Sequence, residues 1–293
     1  MGENSKIEWC HHTFNIVWGC VKVDQECAHC YAEAWAKRTG HDVFGPAKTT
    51  ERRVMSDAYW KQPHAWNRAA ERSGQRARVF CSSMADVFED HPTNAEQRPR
   101  LWDTITATPW LDWLLLTKRP ENIRAMLPYD WAPYPNVWLG TSVGYQESAL
   151  KRVPHLFGLP AVVRFLSCEP LLGPLDLGFA GAYIDWVICG GESGPGARPM
   201  HPDWARSLRD QCAFAGVRFF FKQWGQFGIE EIRAGGDLGG DLRRGIVQHV
   251  RADRENDGHY HRGDVYMRNI GKKMAGRILD GRTWDEMPEA TRI

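Results

Sequence analysis

Three cysteines near the amino terminus carry the sharpest chemical signal in the chain. Cys20, Cys27 and Cys30 lie in Gly19-Cys20-Val-Lys-Val-Asp-Gln-Glu-Cys27-Ala-His-Cys30-Tyr31, a C-x6-C-x2-C spacing. Two cysteines separated by two residues can grip one metal or cluster, and a six-residue loop can swing Cys20 to the same centre. A closed structural zinc site or an ordinary iron–sulfur cluster takes four protein ligands. A [4Fe-4S] cluster held by three thiolates leaves one iron open, and an open position is what a catalytic metal needs. The competing arrangement is a structural zinc site closed by a fourth ligand from Cys10, His11, His12 or His29. Zinc knuckles normally use two close pairs, and the sequence holds no second C-x-x-C pair. Cys81, Cys168, Cys189 and Cys212 are isolated in or beside apolar runs and read as small core residues.

A loop of this kind needs a scaffold. Short apolar, β-rich runs at residues 16–18, 77–81, 113–117, 136–140, 164–167, 185–189 and 217–221 alternate with helical stretches at 30–39, 57–72, 94–107, 120–126, 147–153 and 201–215. That alternation predicts an α/β fold of parallel strands joined by crossover helices. Ligands of such folds sit beyond the carboxyl ends of the strands. Polar residues follow the runs there: Ser82-Ser83-Met84-Ala85-Asp86, Thr117-Lys118-Arg119-Pro120-Glu121, Gly140-Thr141-Ser142, Ser167-Cys168-Glu169-Pro170, Gly190-Gly191-Glu192-Ser193-Gly194 and Lys222-Gln223-Trp224-Gly225. Any one of these loops could be an ordinary turn or cap. Six at one end of one sheet read as an active-site rim.

The 293 residues fit one barrel of about 250 residues with a tail, or two domains of about 150. With 43% hydrophobic and 25% charged residues the chain can bury a sizeable core, which excludes wholesale disorder. No run approaches the roughly 18 apolar residues of a membrane span, and the first residues lack the apolar core of a secretory signal. A cytoplasmic protein with no membrane partner is therefore expected, and in that setting eight cysteines point to metal or redox chemistry rather than a disulfide framework. Lys and Arg (37) balance Asp and Glu (36), so nucleic-acid contact would need a local patch. Fourteen tryptophans call for a thick aromatic core or for stacking surfaces in a cleft. From Gln226 the pairs Gly235-Gly236 and Gly239-Gly240 and charges of both signs replace the hydrophobic alternation. The expected division is a barrel over residues 1–225 and a C-terminal extension over 226–293, where Arg243-Arg244, Lys272-Lys273 and Arg277 contact phosphate or are simply solvated.

The three-cysteine loop after the first strand resembles the radical S-adenosylmethionine (radical SAM) enzymes, whose usual motif is C-x3-C-x2-C with an aromatic residue just before the third cysteine. Here the first gap is six, and His29 takes the place of the adenine-contacting aromatic, with Tyr31 as its substitute. The wider pattern, Trp18-Gly19-Cys20, Cys27-Ala-His-Cys30-Tyr31-Ala32-Glu33, Gly190-Gly191-Glu192-Ser193-Gly194 through Arg198-Pro199-Met200, and Gly281-Arg282-Thr283-Trp284-Asp285, resembles a phage-associated family long carried as a domain of unknown function. The radical SAM resemblance implies a partial (β/α)6-type barrel, a [4Fe-4S] cluster on Cys20, Cys27 and Cys30, and SAM at the open iron. It also implies a 5′-deoxyadenosyl radical that abstracts hydrogen, and a flavodoxin- or ferredoxin-like electron donor. By the same resemblance Ser83 and Asp86 serve the SAM ammonium, and Thr141, Ser142 and Glu169 its ribose and carboxylate. Glu192 and Lys222 are the expected catalytic groups, leaving Lys118, Arg119, Arg198 and Trp224 for an anionic or planar substrate. Cations beside an indole suit phosphate contact and base stacking, and chemistry on a base requires it single-stranded or flipped out. The expected function is rearrangement or repair of a nucleic-acid base, such as a modified base of phage DNA. A peptide or small-metabolite substrate is the alternative within the enzyme class. A zinc-stabilised nucleic-acid-binding module without catalysis is the alternative outside it.

Overall fold

A computed structural model of the chain describes residues 2–129, 134–230, 239–251, 253 and 264–289, so the Gly235-Gly236 pair lies outside the described residues. Seven strands, His12–Phe14 (β1), Ala77–Cys81 (β2), Leu111–Thr117 (β3), Val137–Ser142 (β4), Val163–Cys168 (β5), Trp186–Gly190 (β6) and Arg218–Gln223 (β7), form one sheet whose order is the chain order. The pairs β1/β2, β2/β3, β3/β4 and β6/β7 are parallel. A sheet wound strand after neighbouring strand, with no reversal of order, has the winding of a (β/α) barrel rather than of a doubly wound sheet. The α/β expectation therefore holds in both class and winding. No helix among the described residues is long and apolar enough to cross a membrane.

The first sheet strand is not the apolar run at 16–18. Val17–Trp18 instead pairs antiparallel with Arg53–Val54 in a separate two-stranded sheet. The less apolar His12–Phe14 enters the main sheet because its side chains find specific partners. The ring of His12 stacks on Trp66 at 4.4 Å, and Phe14 meets Trp113 edge-on at 5.6 Å. Helix starts repeat one device: His91 and His201 each accept a hydrogen bond from a backbone N–H two residues on (3.2 and 3.0 Å), with a proline opening the helices Pro92–Thr106 and Pro202–Ala215.

The contacts divide the chain into two compact units. One comprises residues 1–142, 152–165 and 288–293, the other 143–151 and 166–287, so the division runs through β5. In the first unit the register row His12, Val79, Trp113, Val137 crosses four strands and places their carboxyl ends on one side. Gly140 is required in β4, because a Cβ there would lie 2.5 Å from the ring of Phe165. In the second unit, residues after 225 form an antiparallel sheet of Phe227–Ile229, Val265–Asn269 and Val247–Val250 and belong with residues 166–225. Among the described residues nine tryptophans, including Trp113, Trp138 and Trp186, are buried, so their indoles mainly fill cores. Cys81, Cys168, Cys189 and Cys212 are buried as well.

The outer edge of β7 is covered by the chain's own tail. Phe221 N–H donates to the Trp284 carbonyl (2.9 Å), Glu286 N–H to Phe219 O (3.3 Å), and the Trp186 indole to Glu286 O (2.9 Å). Trp284 is stacked by Arg282 and Arg209. An edge strand left bare is a template for pairing with another chain. A chain truncated after Thr283 is therefore expected to melt about 5 °C or more below the full chain and to sediment as larger species. Unchanged melting and sedimentation would show that the tail does not guard the edge.

His12 supplies a second test. Burial, and then its neighbour His11, pushes its imidazole down to about 4 from 6.5. The unfolded chain thus takes up this proton first. The stabilisation from a neutral His12 is complete above about pH 6.5 and is lost as pH falls toward 4. His12→Phe is expected to flatten the loss of stability between those pH values in urea titrations. An acid limb identical to the parent's would refute this assignment.

Candidate functional site

The three-cysteine loop leaves the end of the Val17–Trp18 strand through Gly19. The backbone there has φ of +108°, and a Cβ would stand 2.0 Å from the Val43 carbonyl, so only glycine fits. Gly19 N–H donates to Met84 O at 2.9 Å, and Gly45 N–H to Cys20 O at 3.3 Å. The next residue is gripped on both sides: Val21 N–H donates to Glu89 Oε1 (2.8 Å), and Arg119 Nη2 donates to Val21 O (2.8 Å). Buried Arg52 holds both carboxylate oxygens of Glu89 (3.0 and 2.9 Å) and donates to the carbonyls of Val43, Gly45 and Thr50.

Cys27 closes a one-turn 3-10 helix, Gln25–Cys27, capped by Asp24, whose Oδ1 accepts from Glu26 N–H at 2.9 Å. Arg152 donates to Glu26 Oε2 (2.9 Å), to Ser142 O (2.8 Å) and to Asp24. Lys118 Nζ lies 4.0 Å from Glu26. Cys30 is the N-cap of helix Tyr31–Arg38, and its side chain makes no capping bond. Lys22 ties the turn to this helix through Ala28 O (3.2 Å) and Glu33 (2.9 Å).

All three cysteines are half-buried and unbridged, whereas the other five are buried. Burial pushes the Cys20 thiol up; Asp86, Glu89 and Cys30 add to this and Arg119 opposes it, so Cys30 stands within electrostatic reach of Cys20. The donor set fits a group that accepts three thiolates. Three of the four residues that could have closed a zinc site are engaged at the amino end of β1. Cys10 is buried, His11 Nδ1 accepts from Arg78 N–H (2.8 Å), and His12 Nδ1 accepts from Asn4 N–H (3.4 Å). Among the described residues no three His, Cys, Asp or Glu side chains stand at the spacing of a single bound ion.

The remaining sequence-predicted residues fall into three groups. Those of the first unit largely hold the loop. Asp86 accepts from Thr117 Oγ1 (2.7 Å), Phe88 N (3.0 Å), Lys118 N (3.1 Å) and Arg119 Nη1 (3.0 Å). Those four bonds match the acceptor capacity of a carboxylate, so Asp86 is tied to the protein's own donors. Arg119, expected at the substrate, spends its guanidinium on Asp86 and Val21. Thr141 donates to Thr117 O (2.8 Å); Ser142 is buried, with its carbonyl on Arg152. Ser83 pairs with Asn15 (3.2 Å), and its carbonyl accepts from the Tyr31 hydroxyl (2.7 Å). His29 and the ring of Tyr31 are exposed.

In the second unit two pairs form. Lys222 lies 2.8 Å from both oxygens of Glu169, with Gln223 at 3.1 Å. Arg198 embraces Glu192 through Nε (2.9 Å) and Nη2 (2.8 Å). Trp224 is buried and donates to Ile278 O (2.8 Å), so its indole packs in the core rather than offering a stacking face.

Sequence reading missed Asn15, Asp24, Glu26, Arg52, Glu89 and Arg152. Asn15 was visible as a lone amide inside Phe14-Asn15-Ile16-Val17. It accepts from Met84 N–H (2.7 Å), and its own N–H donates to the Tyr59 hydroxyl (3.0 Å), which burial pushes up to about 12.

No curated protein matches the chain. Among solved structures, a spore photoproduct lyase variant with bound AdoMet and dinucleoside spore photoproduct is similar over 92% of this chain and 72% of that one, at 10% identity and a TM-score of 0.47. Residues 4–288 match the family described as Protein of unknown function (DUF5131), and the chain belongs to that family.

Proposed function

We propose that this protein is a radical SAM enzyme in which Cys20, Cys27 and Cys30 hold a [4Fe-4S] cluster with one iron open to SAM. The observation that carries the reading is a loop presenting three half-buried, unbridged thiols, its backbone gripped beside Cys20 by Glu89 and Arg119 and its acidic side chains Asp24 and Glu26, beside Cys27, held by Arg152. Cys20, Cys27 and Cys30 would hold the cluster, and when bound it would supply one-electron reduction of the SAM sulfonium and so the hydrogen-abstracting chemistry of a 5′-deoxyadenosyl radical. The chain's own task is to hold the reactants in register and exclude water. Ser83 and Ser142, at the carboxyl ends of β2 and β4, are the proposed contacts for the polar groups of SAM. A flavodoxin- or ferredoxin-like protein is the proposed electron source.

The proposed substrate is a nucleic-acid base that is rearranged or repaired. Support comes from Lys118, after β3, and, in the second unit, from Arg198 in the loop after β6 and Lys222 near the end of β7. Each faces a carboxylate (Glu26, Glu192 and Glu169), so a phosphate must compete for them, and affinity falls with salt.

Two measurements test this. Protein purified without oxygen is expected to be brown, to carry about four irons and four sulfides per chain, and to bleach with dithionite; Cys27→Ala loses the colour. Zinc without iron would sink the cluster reading and favour the non-catalytic module. With reductant present, SAM cleavage is expected to rise when single-stranded oligonucleotides are added. Arg198→Ala should lower the oligonucleotide kcat/KM about tenfold, the loss of one charge-assisted contact. Stimulation by peptides or small metabolites, but not by nucleic acid, would move the substrate to another class.

A further inference from the structure

The six residues between Cys20 and Cys27 are long enough to leave Cys27 wandering, yet the structure gives this stretch its own anchor. Glu26 is buried, and its carboxylate accepts from Arg152 Nη1 at 2.9 Å. The other Arg152 amino group donates to Asp24, the residue that caps the 3-10 turn ending in Cys27. Nη1 also donates to the carbonyl of Ser142 at the end of β4 (2.8 Å). Arg152 itself is 2% exposed. One guanidinium thus binds both acidic side chains of the turn and the backbone of the strand behind it. With Lys118 4.0 Å from Glu26, the two carboxylates meet two cations and the cluster of charges is neutral.

We propose that Arg152 is the positioning residue of the three-cysteine loop, setting Cys27 in register with Cys20 and Cys30 by fixing the Asp24–Glu26 turn to the end of β4. This rests on the cluster reading above. A planar fork with several fixed donors can reach two carboxylates and a carbonyl together; an ammonium on a flexible stem cannot hold the same three in one geometry. The Glu26 carboxylate, which no solvent reaches, is held at 2.9 Å by Arg152 and lies 4.0 Å from Lys118, so removing the guanidinium loosens the turn and leaves Cys20 and Cys30 anchored by their own contacts.

The test compares the full chain with Arg152→Met, Arg152→Lys and Glu26→Gln. In metal-free protein, hydrogen exchange of the amides of residues 24–28 is expected to quicken about tenfold or more in Arg152→Met, with the β2 and β3 amides unchanged. In anaerobically loaded protein, iron and sulfide per chain are expected to fall about threefold or more in the same variant, as for groups that orient ligands. Arg152→Lys should recover charge without recovering the exchange protection. Glu26→Gln, which keeps the shape, decides the matter if Arg152→Met does not fold. Exchange at 24–28 and iron content equal to the parent's would overturn the proposal. If the parent binds no iron, the cluster reading fails, whereas the exchange data still judge Arg152 as the anchor of the turn.

Discussion

Two carboxylates in the loop after β2, Asp86 and Glu89, organise the candidate site of the first unit. Both are buried, and both bind an arginine together with a backbone N–H from elsewhere: Glu89 takes Arg52 and Val21, Asp86 takes Arg119 and Lys118. The loop that carries them has no regular ladder, so its carbonyls are satisfied by side chains instead. Arg98 donates to Val87 O and Glu89 O, Asn94 to Asp86 O, and Asn122 to Phe88 O. Removing one member of a buried ion pair costs about 3–5 kcal/mol because the other charge is left uncompensated. A loop built this way is therefore stiff without regular secondary structure, and what it holds stiffly is the backbone on either side of Cys20.

The same economy of design recurs around Cys27 and Cys30, where Arg152 and Lys22 do what Arg52 and Arg119 do for Cys20. These contacts belong to the protein alone. The loop is held by hydrogen bonds and ion pairs between the protein's own groups.

The fold was largely legible because periodicity and turn residues report local structure directly. Six of the seven sheet strands and the helices between them lie within a few residues of the apolar runs and helical stretches read from the sequence. The exception, β1, shows the limit of that signal: Ile16 and Val17 are more apolar than His12-Thr13-Phe14, but the pairing was decided by Trp66 and Trp113, which are distant in sequence. The candidate site was legible at its thiols, which have a spacing, and illegible at its supports, which have none. Nothing local marks Arg152 as the partner of Glu26, 126 residues away. At Asp86 the sequence shows that a carboxylate follows a strand but not that four protein donors surround it.

Burial separates the cations that build the site from those that can still exchange partners. The side chains of Arg52 and Arg152 are 0% and 2% exposed, and each is locked to carboxylates and carbonyls that also lack water. Arg198 and Lys118 are 30% and 23% exposed, and Lys118 is a full 4.0 Å from its acid. Exposed pairs are worth little and rearrange readily, whereas buried ones do not. Arg198 is open to water on one side while Glu192, which it holds through Nε and Nη2, is buried, so that pair is of mixed character.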